Sequence, residues 1–466
     1  MCENYFPKIY TPLVPPPTQP HGVVRRKGPI KWPFSRDKNK TSQTTPSLII
    51  SFRHLSLSVA FHKNKSTLLS LSLHHLCLSS LSLQMAKEEE NTGVILLTKP
   101  LSLEGDSDVD YRAPSLLQRV LSLFKNVRPG SDLTRFQLSP QFNIPKSHLQ
   151  CFGEEVYCTG YDLLGRCNKA ETPHDRFTAV VSWSISTLRP VIFGIAPYNP
   201  ILGETNHVTR GNLNVLLEQV SHHPPVTALH ATDEKENLEM IWCQNPTPKF
   251  YGTSVETVVH GKRQLKLLNH GETYEMNSPK LLIKFLPLPW ADWVGETRIR
   301  CHETGLEAEL YYGSNSWIRG NPRTIKGKIF DSTTLELLYE IHGQWDRTVK
   351  MTDVSSRKET VIYNANEVIS GLKTPIVTDL KGVWPSESAV VWGLLNQAIV
   401  GKDWGKAREA KKAVEEKQRE LLRERESRGE TWIPKHFTVT HSKEGSGWDC
   451  SPIQQLVPPA PISVPL

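Results

Sequence analysis

Acidic residues are almost missing from the first 84 positions, which hold 11 Lys and Arg but only Glu3 and Asp37. Taking that segment out of the totals of 55 basic and 48 acidic residues leaves 44 against 46, a net of about −2. The +7 of the whole chain is therefore local, and a nucleic-acid reading built on overall charge fails. Long apolar runs are scarce too. Ser66 to Gln84 carries no formal charge, but its serines and His74-His75 make it a poor membrane span. Its acid-poor, Ser-rich composition suits either an organellar transit peptide or a disordered or non-native stretch. The second reading is adopted, with Met85 as the initiation site, and no segment has the pattern of a secretory signal.

The eight cysteines, Cys2, Cys77, Cys151, Cys158, Cys167, Cys243, Cys301 and Cys450, lack the close pairing of a zinc site or a small disulfide framework. They read as reduced thiols of a cytosolic protein. The chain has neither a nucleophile elbow nor a metal-binding helix motif. Length alone allows two or three domains, or one large all-β domain.

What is present begins with an amphipathic pattern. Leu116, Leu117, Val120, Leu121, Phe124 and Val127 recur at three- and four-residue steps, with a start signal at Ala113-Pro114-Ser115 and a stop at Pro129-Gly130. The spacing predicts a helix over about 114–128, which either packs on a core or covers a cavity with its apolar face. A second helix is expected over Asp175 to Leu188. Ala196-Pro197-Tyr198-Asn199-Pro200-Ile201-Leu202-Gly203-Glu204-Thr205 reads as a shaped loop. It is either a plain turn or one that aims backbone amides at an anion.

From His207 to about Thr360 the chain reads as β, with alternating runs separated by hairpin signals such as Asn269-His270-Gly271 and Glu303-Thr304-Gly305. Helices do not alternate with these strands, so a large antiparallel sheet is expected, closed wholly or nearly so to avoid an exposed edge. A barrel of that width encloses a cavity. Gly401 to Arg428 is proline-free and highly charged and should be helical, with Lys411, Glu415 and Arg419 on one stripe. That stripe is either a solvated face or a set of site residues. The Pro-rich end beyond Trp448 reads as a flexible tail.

One stretch organises the rest. In Glu218-Gln219-Val220-Ser221-His222-His223-Pro224-Pro225, two imidazoles at the exit of a predicted strand are stiffened by two prolines. They are either ordinary polar residues or an anion site.

This octapeptide resembles the signature of the oxysterol-binding-protein-related family. Asn199-Pro200-Ile201-Leu202-Gly203-Glu204 is similar to the family's Asn-Pro-x-x-Gly-Glu loop. Gly327-x-Ile329-x-Asp331 with Gly343-x-Trp345 resembles its late hairpin. Lys411, Glu415 and Arg419, followed by Trp432-x-Pro434-Lys435-x-Phe437, resemble its C-terminal helix and exit. The likeness spans about Tyr111 to Phe437 and looks closest to short plant members made of the lipid-binding domain alone.

The resemblance implies a mainly β fold: a large incomplete antiparallel β-barrel with a hydrophobic tunnel, an N-terminal helical lid and C-terminal helices. The expected layout is a low-complexity segment 1–84, a linker 85–110, a lipid-binding domain 111–437 and a flexible tail 438–466. Within the domain, the lid spans about 114–128, the barrel about 190–360 and the C-terminal helical part about 386–437. The resemblance also implies a non-enzymatic protein that binds one sterol or phosphatidylinositol 4-phosphate and moves it between membranes. It would be cytoplasmic and transiently peripheral on membranes such as the endoplasmic reticulum and the Golgi or plasma membrane. No cofactor, metal or nucleic acid is implied.

Carried over by motif, His222 and His223 would contact the 4-phosphate, with Lys411, Glu415 and Arg419 at the mouth. Asn199, Leu202 and Gly203 would approach the headgroup, and Leu116, Leu117, Val120, Leu121 and Phe124 would form the lid. Where the family's loop carries a lysine this chain has Ala196, with Arg210 or Lys169 as candidate substitutes. No pleckstrin-homology domain or acidic two-phenylalanine tether motif is seen. Trp290 and Trp293 are therefore either membrane contacts or core residues. Two competing functions are a lipid sensor of the same fold acting through a protein partner, and a histidine-dependent hydrolase or metalloenzyme.

Overall fold

A computed structural model describes residues 94–103, 115–158, 161–313, 323–441 and 447–466; the side chains of Leu116, Tyr161 and Asp162 lie outside that description. The expectations for residues 1–84, and for the 85–110 linker apart from 94–103, also fall outside the described residues.

The first helix, α1 (Leu116–Leu123), is shorter than the apolar pattern suggested. Strand β1 (Asn143–Ser147) runs into α2 (His148–Tyr157), which is started by a reciprocal Ser147–Gln150 capping box. Helices α3 (Tyr161–Lys169) and α4 (Pro173–Ser186) follow. Proline in the first turn and the Thr172 hydroxyl, which accepts from the Asp175 amide, set the start of α4. This helix is buried on nearly every side from Phe177 to Ser186. Trp183 packs 6.3 Å from Trp242, and Phe177 packs 6.0 Å from Tyr274. A helix so uniformly buried fills space inside the sheet rather than lying on it.

Strand β2 (Ala196–Tyr198) pairs in parallel with β1, so the loop expected there begins as a short strand. Among the described residues the main sheet has 16 strands. Its first half is β3 (Thr205–Arg210), β4 (Leu213–His222), β5 (Pro225–Asp233), β6 (Leu238–Phe250), β7 (Ser254–His260), β8 (Arg263–Leu267), β9 (Glu272–Met276) and β10 (Lys280–Lys284). It continues through β11 (Trp290–Cys301), β12 (Leu306–Tyr312), β13 (Thr324–Asp331), β14 (Leu337–Gln344), β15 (Thr348–Asp353) and β16 (Glu359–Asn364). All neighbours among β3 to β16 are antiparallel. Two long strands fork the sheet. The first half of β6 pairs with β8 and its second half with β7, while β11 pairs with β10 and then with β9. The β7–β10 and β8–β9 pairs therefore bridge β6 and β11 at two separate levels.

After the sheet come α5 (Ala365–Ile369), β17 (Ile376–Val377), α6 (Ser388–Val391), α7 (Gly393–Val400) and the long α8 (Trp404–Arg428). Asp403 caps α8 through the Lys406 amide, and Gly429 at φ 67° ends it. The hairpin β18 (Phe437–His441) with β19 (Trp448–Pro452) packs on β4, β5 and β6 through Phe437, Cys450, Val220 and Cys243. Strand β20 (Ile462–Ser463) lies parallel to β3 and antiparallel to β17. The path runs from β16 to β17, and these ends do not pair with each other. The barrel is incomplete, as expected.

The chain's end departs from the sequence reading. Val457, Ile462 and Val464 are buried, and the Val464 amide donates to the Thr209 carbonyl at 2.9 Å. Prolines there rule out helix, but they leave an extended chain whose remaining amides cover the open edge of β3. Proline-rich composition here marks an extended, buried chain end rather than a flexible tail. The six described cysteines are free.

Candidate functional site

A cavity of about 1330 Å³ opens between α1, the β4–β5 turn, the Asn199 loop and α8. It exceeds the roughly 300–1,000 Å³ common for drug-sized ligands. Its apolar wall includes Ile283, Phe285, Val255, Phe142 and Leu281.

At the mouth, His222 ends β4 facing Pro225, and His223 sits in the turn. Two adjacent residues within a strand would point their rings to opposite faces. Because only His222 is in the strand, the rings instead lie 4.4 Å apart, tilted by 50°. His222 Nδ1 is 2.9 Å from the Pro200 carbonyl. A carbonyl only accepts, so Nδ1 carries the proton and Nε2 is the atom left to titrate. Burial pushes the His222 pKa below the ordinary imidazole value; for His223 burial, then the neighbouring His222 and Arg135, act the same way.

The Asn199 loop is tied to β4 by bonds from the Gly203 amide to the Gln219 carbonyl and from the Gln219 amide to the Glu204 carbonyl, both 2.9 Å. Buried Glu204 accepts from the Ile201 amide, the Ser388 hydroxyl and the Trp392 indole N–H. The Ile201 and Gly203 amides are therefore committed inside the protein. Asn199 and Leu202 line the cavity but Gly203 does not. Its φ of +78° makes the turn, and a Cβ there would meet the Trp432 ring at 2.5 Å. The conformation and the close approach both demand glycine.

Lys411, Glu415, Arg419 and also Arg425 line the cavity from α8. Lys411 Nζ donates to the Leu138 carbonyl and to Asn143 Oδ1, the latter at 3.0 Å, and burial lowers its pKa. Asn143 Nδ2 in turn donates to the Ala196 carbonyl at 3.1 Å. Lys411 thus braces the approach to the Asn199 loop.

Of the five expected lid residues, Val120 and Phe124 line the cavity, while Leu117 and Leu121 are exposed. The apolar stripe is wider than the face the cavity can cover. Phe124 stacks on Phe136, Phe250 and Phe285 at 5.6, 4.9 and 5.0 Å. The Leu116 side chain lies outside the described residues.

Neither suggested substitute for a loop cation lines the cavity. Lys169 is 3.6 Å from Glu236, and Arg210 donates to the Tyr157 carbonyl. Trp293 is half-buried, its indole donating to the Arg189 carbonyl at 2.8 Å, whereas Trp290 is 38% exposed. Sequence reasoning missed Arg135, Arg425, Glu155 and Arg189, all of which line the cavity. Glu155 is raised to about 7 by burial, against the pull of Arg263 and Arg189. No local motif surrounds these residues; only their place in the fold brings them in. Among the described residues no group of three His, Cys, Asp or Glu is placed to hold a metal, and no helix is long and apolar enough to cross a membrane.

The Oxysterol-binding protein family model matches residues 120–393. The chain is 57% identical over 377 residues to oxysterol-binding protein-related protein 4C of Arabidopsis thaliana, covering 80% of this chain and 99% of that one. It is 30% identical to human oxysterol-binding protein-related protein 8, over 69% of this chain and 37% of that protein. The fold is similar to the crystal structure of the Osh1 ORD domain in complex with cholesterol, with a TM-score of 0.62 at 20% identity, covering 77% and 90% of the two chains. It is also similar to the Osh3 ORD of Saccharomyces cerevisiae in complex with PI(4)P, with a TM-score of 0.58 at 23% identity, covering 76% and 91%.

Proposed function

We propose that this chain, which belongs to the oxysterol-binding protein family, carries one lipid at a time between membranes, as a carrier rather than an enzyme. The observation that supports this is a cavity with two chemistries. Its wall is hydrocarbon, while its mouth holds His222, His223, Lys411 and Arg419. A sterol, or the acyl chains of a phosphoinositide, is stabilised by the wall in proportion to the apolar area removed from water. A monoester phosphate of charge −1.5 to −2 needs donors and compensating charge, which the mouth supplies. Neutral His222 presents a lone pair at Nε2, so phosphate binding calls for proton uptake there.

On this reading α1 is a lid held shut by Phe124, and the headgroup meets Asn199, Leu202 and the α8 stripe. Gly203 serves by shaping the loop. Leu286, Leu288 and Trp290 are exposed beside Phe285, which packs on Phe124. They are the proposed membrane-contacting tip, next to the lid through which a lipid would leave.

The test is native mass spectrometry of lipids co-purified with residues 85–466, repeated for the double variant His222→Ala/His223→Ala, together with transfer between liposomes. Sterol or phosphatidylinositol 4-phosphate at one per chain, accelerated transfer, and loss of the phosphoinositide alone in the double variant are expected. Retention of the phosphoinositide by the double variant would refute the site. Stoichiometric binding without acceleration would replace the carrier by a lipid sensor.

A further inference from the structure

The segment returning from α1 to the sheet carries a cation that no motif marks. Leu133 is buried, and its amide donates to the Pro248 carbonyl at 2.9 Å. Next to it, Asp132 forms an antiparallel bridge with Lys249 at the end of β6. Three residues on, the Phe136 amide donates to the Leu133 carbonyl and its ring stacks on Phe124. The Thr134 amide closes a tight turn onto Asp132 Oδ1 at 2.7 Å. Arg135 is thus held between two anchored neighbours, and it lines the cavity that His222 and His223 also line. It is exposed, and among the described residues it makes no hydrogen bond or ion pair. Its charge is felt at His223, where it adds to burial and His222 in lowering that imidazole's pKa.

Besides Arg419, which lines the cavity from α8, the cations expected near the mouth are engaged elsewhere or absent. Lys411 is engaged by the Leu138 carbonyl and Asn143. Position 196, where the family pattern has lysine, is alanine. Arg425 lies 5.6 Å from the Trp432 ring centre. A doubly charged phosphate at the histidine pair would meet two rings that are neutral before it arrives. A guanidinium on the His223 side offers the planar two-pronged donor that fits phosphate oxygens.

We propose that Arg135 is the charged donor to a monoester phosphate seated against His222 and His223, taking the part the absent loop lysine would have played. This rests on the phosphoinositide reading given above. It adds a discrimination, because a sterol carries no phosphate and would make no use of Arg135.

The experiment measures equilibrium binding of the full chain to four probes: vesicles containing phosphatidylinositol 4-phosphate, soluble glycerophosphoinositol 4-phosphate, inorganic phosphate, and vesicles containing sterol. Arg135→Gln should weaken both phosphoinositide probes by roughly 10- to 150-fold, as expected for a lost charged hydrogen bond. Arg135→Lys should keep most of the affinity. Sterol binding and the melting temperature should not move, and the salt dependence of headgroup binding should flatten. A free-phosphate site, rather than a headgroup site, would show equal losses for inorganic phosphate and the soluble headgroup at similar affinities.

Four results would overturn the proposal. One is Arg135→Gln binding like the wild type while His222→Ala/His223→Ala does not bind. A second is a loss seen only with vesicles, which would make Arg135 a membrane-surface contact. The third is a parallel loss of sterol binding and thermal stability, which would make it structural. Finally, a wild-type protein that binds none of the phosphate probes would refute the phosphoinositide reading itself, and this proposal with it.

Discussion

The His222 Nδ1–H donates a hydrogen bond to the Pro200 carbonyl at 2.9 Å, which joins the histidine turn to the Asn199 loop and leaves Nε2 as the atom that titrates. Burial holds this imidazole, and with it His223, below the ordinary value of about 6.5. Both rings are then neutral in the empty protein near pH 7. A phosphate raises their pKa by favouring the charged form, so its binding draws in protons. Affinity for phosphatidylinositol 4-phosphate should therefore tighten as pH falls from about 7.5 to about 6, with sterol affinity flat. The sign reverses for stability of the empty fold. Below about pH 6.5 the unfolded chain binds protons that the folded histidines resist, so their contribution to stability falls as pH drops through that window, opposed by the buried carboxyls of Glu155 and Glu387, which burial raises to about 7. Buried His207 and half-buried His436, also lowered chiefly by burial, add to the histidine part. Titration calorimetry in buffers of different ionisation enthalpy measures the proton uptake, and thermal melts with and without ligand measure the stability.

Phe124 is stacked on three other phenylalanines, which makes it the pin of the lid proposed above. Phe124→Ala should cost roughly 2 kcal/mol against lid opening, which raises the open population about 30-fold. The global melting temperature should move little, because α1 lies outside the main sheet. Faster sterol release and new proteolytic cleavage between residues 116 and 130 are the expected signs. Unchanged release would mean that α1 is a fixed wall.

Gly203→Ala forces a side chain into a +78° φ and against the Trp432 ring. The backbone part costs about 1 kcal/mol, and the steric part displaces Trp432 and with it the loop at the proposed headgroup site. Phosphoinositide binding should fall while sterol binding persists. Adding Trp432→Ala should recover part of the lost melting temperature, since it removes the clash but not the strain. If the second change recovers nothing, the ring is not the obstacle.

Removing residues 457–466 should destabilise the protein and promote aggregation. Val457, Ile462 and Val464 would no longer be buried, and the edge of β3 would be left without its parallel partner. A loose tail would be dispensable. Light scattering and melting curves of the truncated chain separate the two.

The sequence by itself determined the parts whose signals are local. Alternating runs with turn residues between them marked most of the antiparallel strands, and the proline-free charged stretch marked α8. The His222-His223 motif, the Asn199 loop and the Lys411 stripe could be named because each is a run of neighbouring residues with its own backbone chemistry. Tertiary structure alone decided what long-range contacts decide. The amides of Lys435 and His436 both donate to Glu218, each at 2.9 Å, so two motifs more than 200 positions apart are one structural unit. Gly203 turned out to shape the loop rather than line the cavity. Trp293 went inward and Trp290 outward, and Leu117 and Leu121 fell outside the face that the cavity covers. The proline-rich end became a strand because β3 had a free edge to fill. Arg135 carries no motif, and only the stitching of its segment to β6 brings it to the mouth. Backbone preference is written residue by residue, whereas which side chains share a cavity depends on how distant strands close around it.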